Sequence, residues 1–116
     1  LQQRISTVEK GFVKTNYAAA IRISPDRQYL YTTNRGEDTI VIYKIQKDGT
    51  LEFLERHYLP GQFPRDFNIS KDGKILGVAL EYSDCVVFYD VDNNTGTIRL
   101  RKEMVRIPSP TAIIIE

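Results

Sequence analysis

The chain has 116 residues, of which 41% are hydrophobic and 27% charged, with 16 basic side chains against 15 acidic ones and a net charge of +1. This balance describes an ordinary soluble globular chain with one domain's worth of core, and it excludes a disordered tail or a strongly basic face for nucleic acid or an anionic membrane. No apolar run approaches the ~20 residues that span a bilayer.

Taken in order, Leu1 to Thr7 has the character of an outer strand, and the stretch to Tyr17, with Lys10, Gly11, Lys14 and Asn16, has no clean period and reads as a loop. Leu1-Gln2-Gln3-Arg4 lacks the apolar region of a secretory signal. A start without Met fits a fragment, a processed product or a trimmed chain. Ala18 to Ser24 follows as a first strand, Ser24-Pro25-Asp26-Arg27 as a turn and Tyr29 to Asn34 as a second strand. Arg35-Gly36-Glu37-Asp38 turns again, and Thr39 to Gln46, rich in β-branched and aromatic residues, makes a third strand. Lys47-Asp48-Gly49 is a tight-hairpin signal, and Leu51 to Leu59 is the fourth strand.

The same recipe then recurs. Asp26 of Ile23-Ser24-Pro25-Asp26 and Asp72 of Ile69-Ser70-Lys71-Asp72 are one period apart (72 − 26 = 46). That offset also relates Leu30 to Leu76, Asp38 to Asp84, Ile40 to Val86, Tyr43 to Tyr89 and Ile45 to Val91. A period of this size, built from short β runs joined by turns, is the mark of a four-stranded propeller blade. The expected fold is therefore all-β, a β-propeller fragment of two complete four-stranded antiparallel blades with partial blades at both ends. Residues 1–17 are assigned to the outer strand of a preceding blade and its loop, 18–61 and 62–109 to complete blades, and 110–116 to the first strand of a further blade. Runs such as Ile40-Val41-Ile42-Tyr43 and Val86-Val87-Phe88-Tyr89 are apolar on both faces, as strands between neighbouring blades should be. Propellers close with ~4 to 8 blades. Self-association, or the remaining blades of a longer parent chain, is expected to cover the open ends.

Three stretches together carry a family resemblance: Ile21-Arg22-Ile23-Ser24-Pro25-Asp26, Leu30-Tyr31-Thr32-Thr33-Asn34-Arg35-Gly36, and Pro64-Arg65-Asp66-Phe67-Asn68-Ile69. The chain resembles the seven-bladed β-propeller lactonase family, which includes the propeller-type 6-phosphogluconolactonases and a fungal muconate-cycloisomerising enzyme. The resemblance covers essentially the whole chain and places it as the C-terminal third of such a protein. It implies metal-independent hydrolysis of a sugar-phosphate lactone in the mouth of the central channel, with no cofactor. Members commonly carry an acid and a histidine around the first strand, where this chain has Ala20 and Arg22. They also have a glycine where it has Arg27, and often an Asn-Gln pair where it has Leu80-Glu81.

Within a blade, the turn between strands two and three shares a rim with the start of strand one, so Arg35 and Arg65 are expected at the channel mouth. Guanidinium groups there can clamp a phosphate or carboxylate and balance oxyanion charge. The competing reading is that each braces a loop through carbonyls or through Asp38, Glu81 or Asp84. Arg22, further down strand one, is a third candidate for binding substrate, and Glu81 is the candidate general base. Asp38 and Asp84, at equivalent positions, are expected to cap turns.

Other chemistry is set aside on spacing. His57 has no Cys or His at ligand distance and is expected to be solvated on an outer strand. Cys85 cannot form an intrachain disulfide, reads as small buried filler and fits a reducing cytoplasm. Asp90 to Gly96 begins like a calcium loop, but its glycine falls late and Arg101 stands where a bidentate Glu is required. Tyr29, Tyr31, Tyr43, Tyr82 and Tyr89 are expected to pack blades. Two functional readings stand: a lactonase-type hydrolase holding a small anionic lactone, and a non-catalytic binding or scaffold propeller.

Overall fold

The computed structural model describes residues 17–106, with eight strands. These are β1 (Tyr17–Ile23), β2 (Tyr29–Arg35), β3 (Thr39–Ile45), β4 (Leu51–Tyr58), β5 (Pro64–Ile69), β6 (Ile75–Leu80), β7 (Cys85–Val91) and β8 (Ile98–Arg106). They form two four-stranded antiparallel sheets, ordered β1-β2-β3-β4 and β5-β6-β7-β8. The all-β fold read from the repeat is thus observed. Tyr17, expected in a loop, instead opens β1 through its pairing with Arg35. The partial blades expected at either end lie outside the described residues.

Local chemistry explains why each unit folds alike. In the first, Ser24 Oγ donates to Asp26 Oδ1 and accepts the Tyr29 N–H at 3.1 Å, while Asp26 Oδ1 accepts the Gln28 N–H at 3.0 Å. In the second, Ser70, Asp72, Ile75 and Lys74 make the same bonds. The Ser-x-Asp pair thereby satisfies backbone groups that a reversing chain would otherwise leave bare. The fourth turn residue lies in the left-handed region in both units, as Arg27 (φ 61°) and Gly73 (φ 74°). Asp38 (φ 58°) and Asp84 (φ 53°) repeat that geometry at the other end of the sheets. Asp accepts this conformation more readily than most residues, which accounts for its recurrence.

The core fills the space between the sheets. Tyr29, Tyr31, Ile40 and Ile42 of the first sheet meet Phe67, Leu76, Val78, Leu80, Val87 and Tyr89 of the second. Burying each such side chain contributes about 1.5–3 kcal/mol. Cys85 is a free thiol buried in the same cluster. The tyrosine hydroxyls reach across the seam: Tyr29 donates to the Asn94 carbonyl and Tyr31 to the Gly96 carbonyl, both at 3.0 Å. His57 departs from its expected solvated state. It is only 28% exposed, bonds Glu55 through Nε2 at 3.1 Å and meets the Tyr89 ring of the second sheet edge-on. Apolar side chains are exposed on the innermost strand of the first sheet, with Ile21 and Ile23 on β1, and on the outermost strand of the second, with Leu100, Met104 and Val105 on β8.

Candidate functional site

The antiparallel register gathers three connections at one end of the sheets: 35–38 between β2 and β3, 59–63 between β4 and β5, and 81–84 between β6 and β7. They are bonded into a single rim. Asp38 is the pivot, its Oδ1 accepting the Gly36 N–H at 3.2 Å and the Phe63 N–H at 2.9 Å, and its carbonyl accepting the Leu59 N–H. The Glu81 N–H then donates to the Phe63 carbonyl, the Tyr82 N–H to the Gln62 carbonyl, and the Gln62 N–H to Ser83 Oγ. Asp38 therefore caps its own turn, as expected, and also fastens the neighbouring unit.

Arg35 ends β2 with its guanidinium 5.3 Å from the Phe63 ring centroid. Arg65 is the extra residue of a β-bulge, because Pro64 faces Leu80 while Asp66 faces Ala79. A bulge re-aims the side chain it carries, and Arg65 is 47% exposed. Its Nη1 lies 3.7 Å from Glu81 Oε1, and the Glu81 side chain is 20% exposed. At that separation the pair is an ion pair longer than a good hydrogen bond, which leaves the guanidinium fork available to an anion. Arg35, Arg65 and Glu81 thus share one rim with Asp38 and Asp84, and of these charges Arg65 and Glu81 form an ion pair.

Arg22 stands apart from this group. Four pairings separate it from the rim along β1, roughly 13 Å at ~3.3 Å per residue. Its Nη2 bonds Asp66 Oδ1 at 3.0 Å, its Nη1 bonds the Ile21 carbonyl at 3.0 Å, and its guanidinium lies 5.8 Å from the Phe67 centroid. It therefore ties the innermost strand of one sheet to that of the next. Asp66 was missed in the sequence reading, yet it stands one period after Ala20, and the acid absent from the first unit is present there in the second.

Two further features were also hidden. Glu37 is buried in the β2–β3 turn, where its Oε1 accepts from Thr39 Oγ1 at 2.7 Å and lies 3.4 Å from Arg56 Nε. This pair holds the turn that carries Arg35 against β4. Tyr82, expected to pack between blades, instead stacks on Phe63 at the rim, with ring centroids 4.2 Å apart and planes at 13°, and is 64% exposed. Two open clefts line the β3–β4 and β7–β8 hairpins at the opposite end of the sheets, away from these residues. Among the described residues, no group of three or more His, Cys, Asp or Glu is placed to hold a metal ion.

Comparison with known proteins fits this architecture. A family model described as "Lactonase, 7-bladed beta-propeller" matches residues 1–115. An uncharacterized protein of Lactococcus lactis subsp. cremoris is 38% identical over 113 residues, 97% of this chain and 33% of that relative. The periplasmic gluconolactonase of Pseudomonas aeruginosa superposes with a TM-score of 0.89 at 29% identity, covering 95% of this chain and 31% of that one. A Bacteroides fragilis protein, provisionally described as a 6-phosphogluconolactonase, gives a TM-score of 0.79 at 30% identity over 82% of this chain and 27% of that one. The chain spans about a third of the length of the curated relatives it matches.

Proposed function

Because the chain belongs to the seven-bladed β-propeller lactonase family, we propose that, within a complete propeller, it supplies an anion-holding rim to a hydrolase of sugar lactones and their phosphates. One observation carries this reading: Arg35, Arg65 and Glu81 sit on one rim, with Arg65 half-exposed and only loosely paired. Guanidinium groups match a phosphate or carboxylate in charge and geometry. They are also suited to the oxyanion that forms when a lactone carbonyl is attacked. Glu81 takes the proton of the attacking water. The new bond joins water oxygen to acyl carbon, the acyl carbon–ring oxygen bond breaks, and the ring oxygen leaves with a proton as the hydroxyl of an open-chain acid. The names of two similar structures, a gluconolactonase and a protein provisionally described as a 6-phosphogluconolactonase, support this substrate class.

The test is hydrolysis of gluconolactone and its 6-phosphate by the complete protein and its Arg65→Ala variant. Loss of one oxyanion-stabilising donor is expected to lower kcat/KM about 10²–10³-fold, with the melting temperature held. Unchanged hydrolysis removes Arg65 from the site. A second reading, a non-catalytic binding propeller, is favoured by Arg22, whose two terminal nitrogens are both engaged inside the chain. Absence of turnover in the unsubstituted complete protein would establish it. A cytoplasmic location is part of this proposal, on the ground that Cys85 is a free, buried thiol. The Pseudomonas relative is periplasmic, so cell fractionation decides.

A further inference from the structure

The rim carries an aromatic stack that neither the core nor the proposed chemistry uses. Phe63 is clamped at its backbone, its N–H by Asp38 and its carbonyl by the Glu81 N–H. It holds φ at 63°, a conformation that bulky side chains rarely adopt. Its ring meets the Arg35 guanidinium at 5.3 Å and the Tyr82 ring, stacked, at 4.2 Å. Tyr82 is fastened in turn by its N–H to the Gln62 carbonyl, and Gln62 by Ser83. Gly61 makes the close approach possible, since a Cβ there would stand 2.7 Å from Ser83 Oγ and 2.8 Å from Leu80 Cδ1. The result is a pre-organised cluster of guanidinium, Phe63 and Tyr82, in which Tyr82 stays 64% exposed.

We infer that Tyr82 is a sugar-stacking platform that seats the ring of a pyranose or its lactone beside Arg65 and Glu81. This rests on the hydrolase reading for its ligand class, not for its geometry. A pyranose presents an apolar face of C–H groups and a polar edge. The face suits the electron-rich face of a tyrosine, which combines a broad apolar body with a polar tip. Glu81 immediately precedes Tyr82 in the chain and lies 3.7 Å from Arg65, which puts both charges on the same rim as the Tyr82 ring, to meet the polar edge and any phosphate of a ring laid on it. A platform fixed before the ligand arrives costs little ordering on binding. Locking Phe63 in a strained backbone conformation beneath it provides that rigidity.

Calorimetric titration of the complete protein with glucose 6-phosphate, a stable anionic pyranose that cannot be hydrolysed as a lactone, tests the platform apart from catalysis. Wild type and Tyr82→Phe are expected to bind with similar Kd, because the ring face is kept. Tyr82→Ala is expected to bind about three- to tenfold more weakly, the loss of one stacked ring. Absence of binding by wild type, equal affinity in Tyr82→Ala, or equal weakening in Tyr82→Phe and Tyr82→Ala overturns the platform. Hydrolysis separates the two readings. Lactone turnover with no effect of Tyr82→Ala on KM or Kd overturns the platform and leaves the hydrolase. Tyr82-dependent sugar binding without turnover overturns the hydrolase and leaves the platform.

Discussion

Replacing Gly96 by alanine should weaken the seam between the two sheets far more than replacing Gly49, the glycine of the β3–β4 hairpin. Both have positive φ, 77° at Gly96 and 87° at Gly49. Both substitutions therefore incur the left-handed penalty of about 1–2 kcal/mol, partly offset by about 0.4–1 kcal/mol through a less flexible unfolded chain. The difference is what a new methyl group meets. At Gly49 it meets nothing within 4 Å, whereas at Gly96 it would stand 2.3 Å from Tyr29 Cδ1 and 2.5 Å from Cε1. Tyr29 is 3% exposed and its hydroxyl is bonded to the Asn94 carbonyl, so the ring has nowhere to retreat without losing that bond. Overpacking costs about 1–3 kcal/mol, and a disturbed hydrogen bond adds about 1 kcal/mol. Gly49→Ala is thus expected to cost about 1 kcal/mol and Gly96→Ala about 2–5 kcal/mol. Urea unfolding of the complete protein, followed by tyrosine fluorescence, measures both. Adding Tyr29→Ala to each variant completes the comparison, and the Gly96 penalty should then shrink toward that of Gly49. Equal costs for the two single variants would refute the reasoning, because they would show that the seam yields freely at Tyr29.

Arg27→Gly should raise the melting temperature, because it removes a left-handed arginine at the position where the second unit already uses Gly73. The net gain is about 0.5 kcal/mol after the entropy of a freer unfolded chain, and a lowered melting temperature would contradict it. Stability should also fall in alkali. Burial pushes the Tyr89 hydroxyl from 10.0 up to about 12 and raises that of Tyr31 as well. The folded protein therefore holds protons that the unfolded chain releases, so this contribution is complete below pH 10 and is lost as pH rises through about 12. For Tyr89 it amounts to about 3 kcal/mol, and unfolding free energies measured at intervals from pH 9 to 12 should fall less steeply in Tyr89→Phe. An identical slope would remove Tyr89 as a cause.

The two sheets were legible because the information that builds them is short-range. Ser24 and Asp26 close their turn within five residues, and Ser70 and Asp72 do so again one period later. The rim position of Arg35 and Arg65 followed from strand order alone. Glu81 was among the acids expected to brace Arg65, but that Arg65 takes Glu81 rather than Asp38 or Asp84 depends on a bulge that no residue type at 64–66 announces. His57 was misread because alternation along β4 does not reveal that Tyr89, on another sheet, shields it. Tyr82 was misread because its partner Phe63 adopts a backbone conformation that its own side chain disfavours.

By itself, then, the sequence determined the repeat, the strands and turns, the all-β class and the family, since each is written in local preference or in recurrence at a constant spacing. Only the tertiary structure decided which charges meet. Arg22 finds Asp66 at a separation of 44 residues, and Asp38 holds Phe63 at a separation of 25. Such contacts depend on how two sheets pack and where one strand bulges, which are properties of the whole arrangement and of no single stretch of chain.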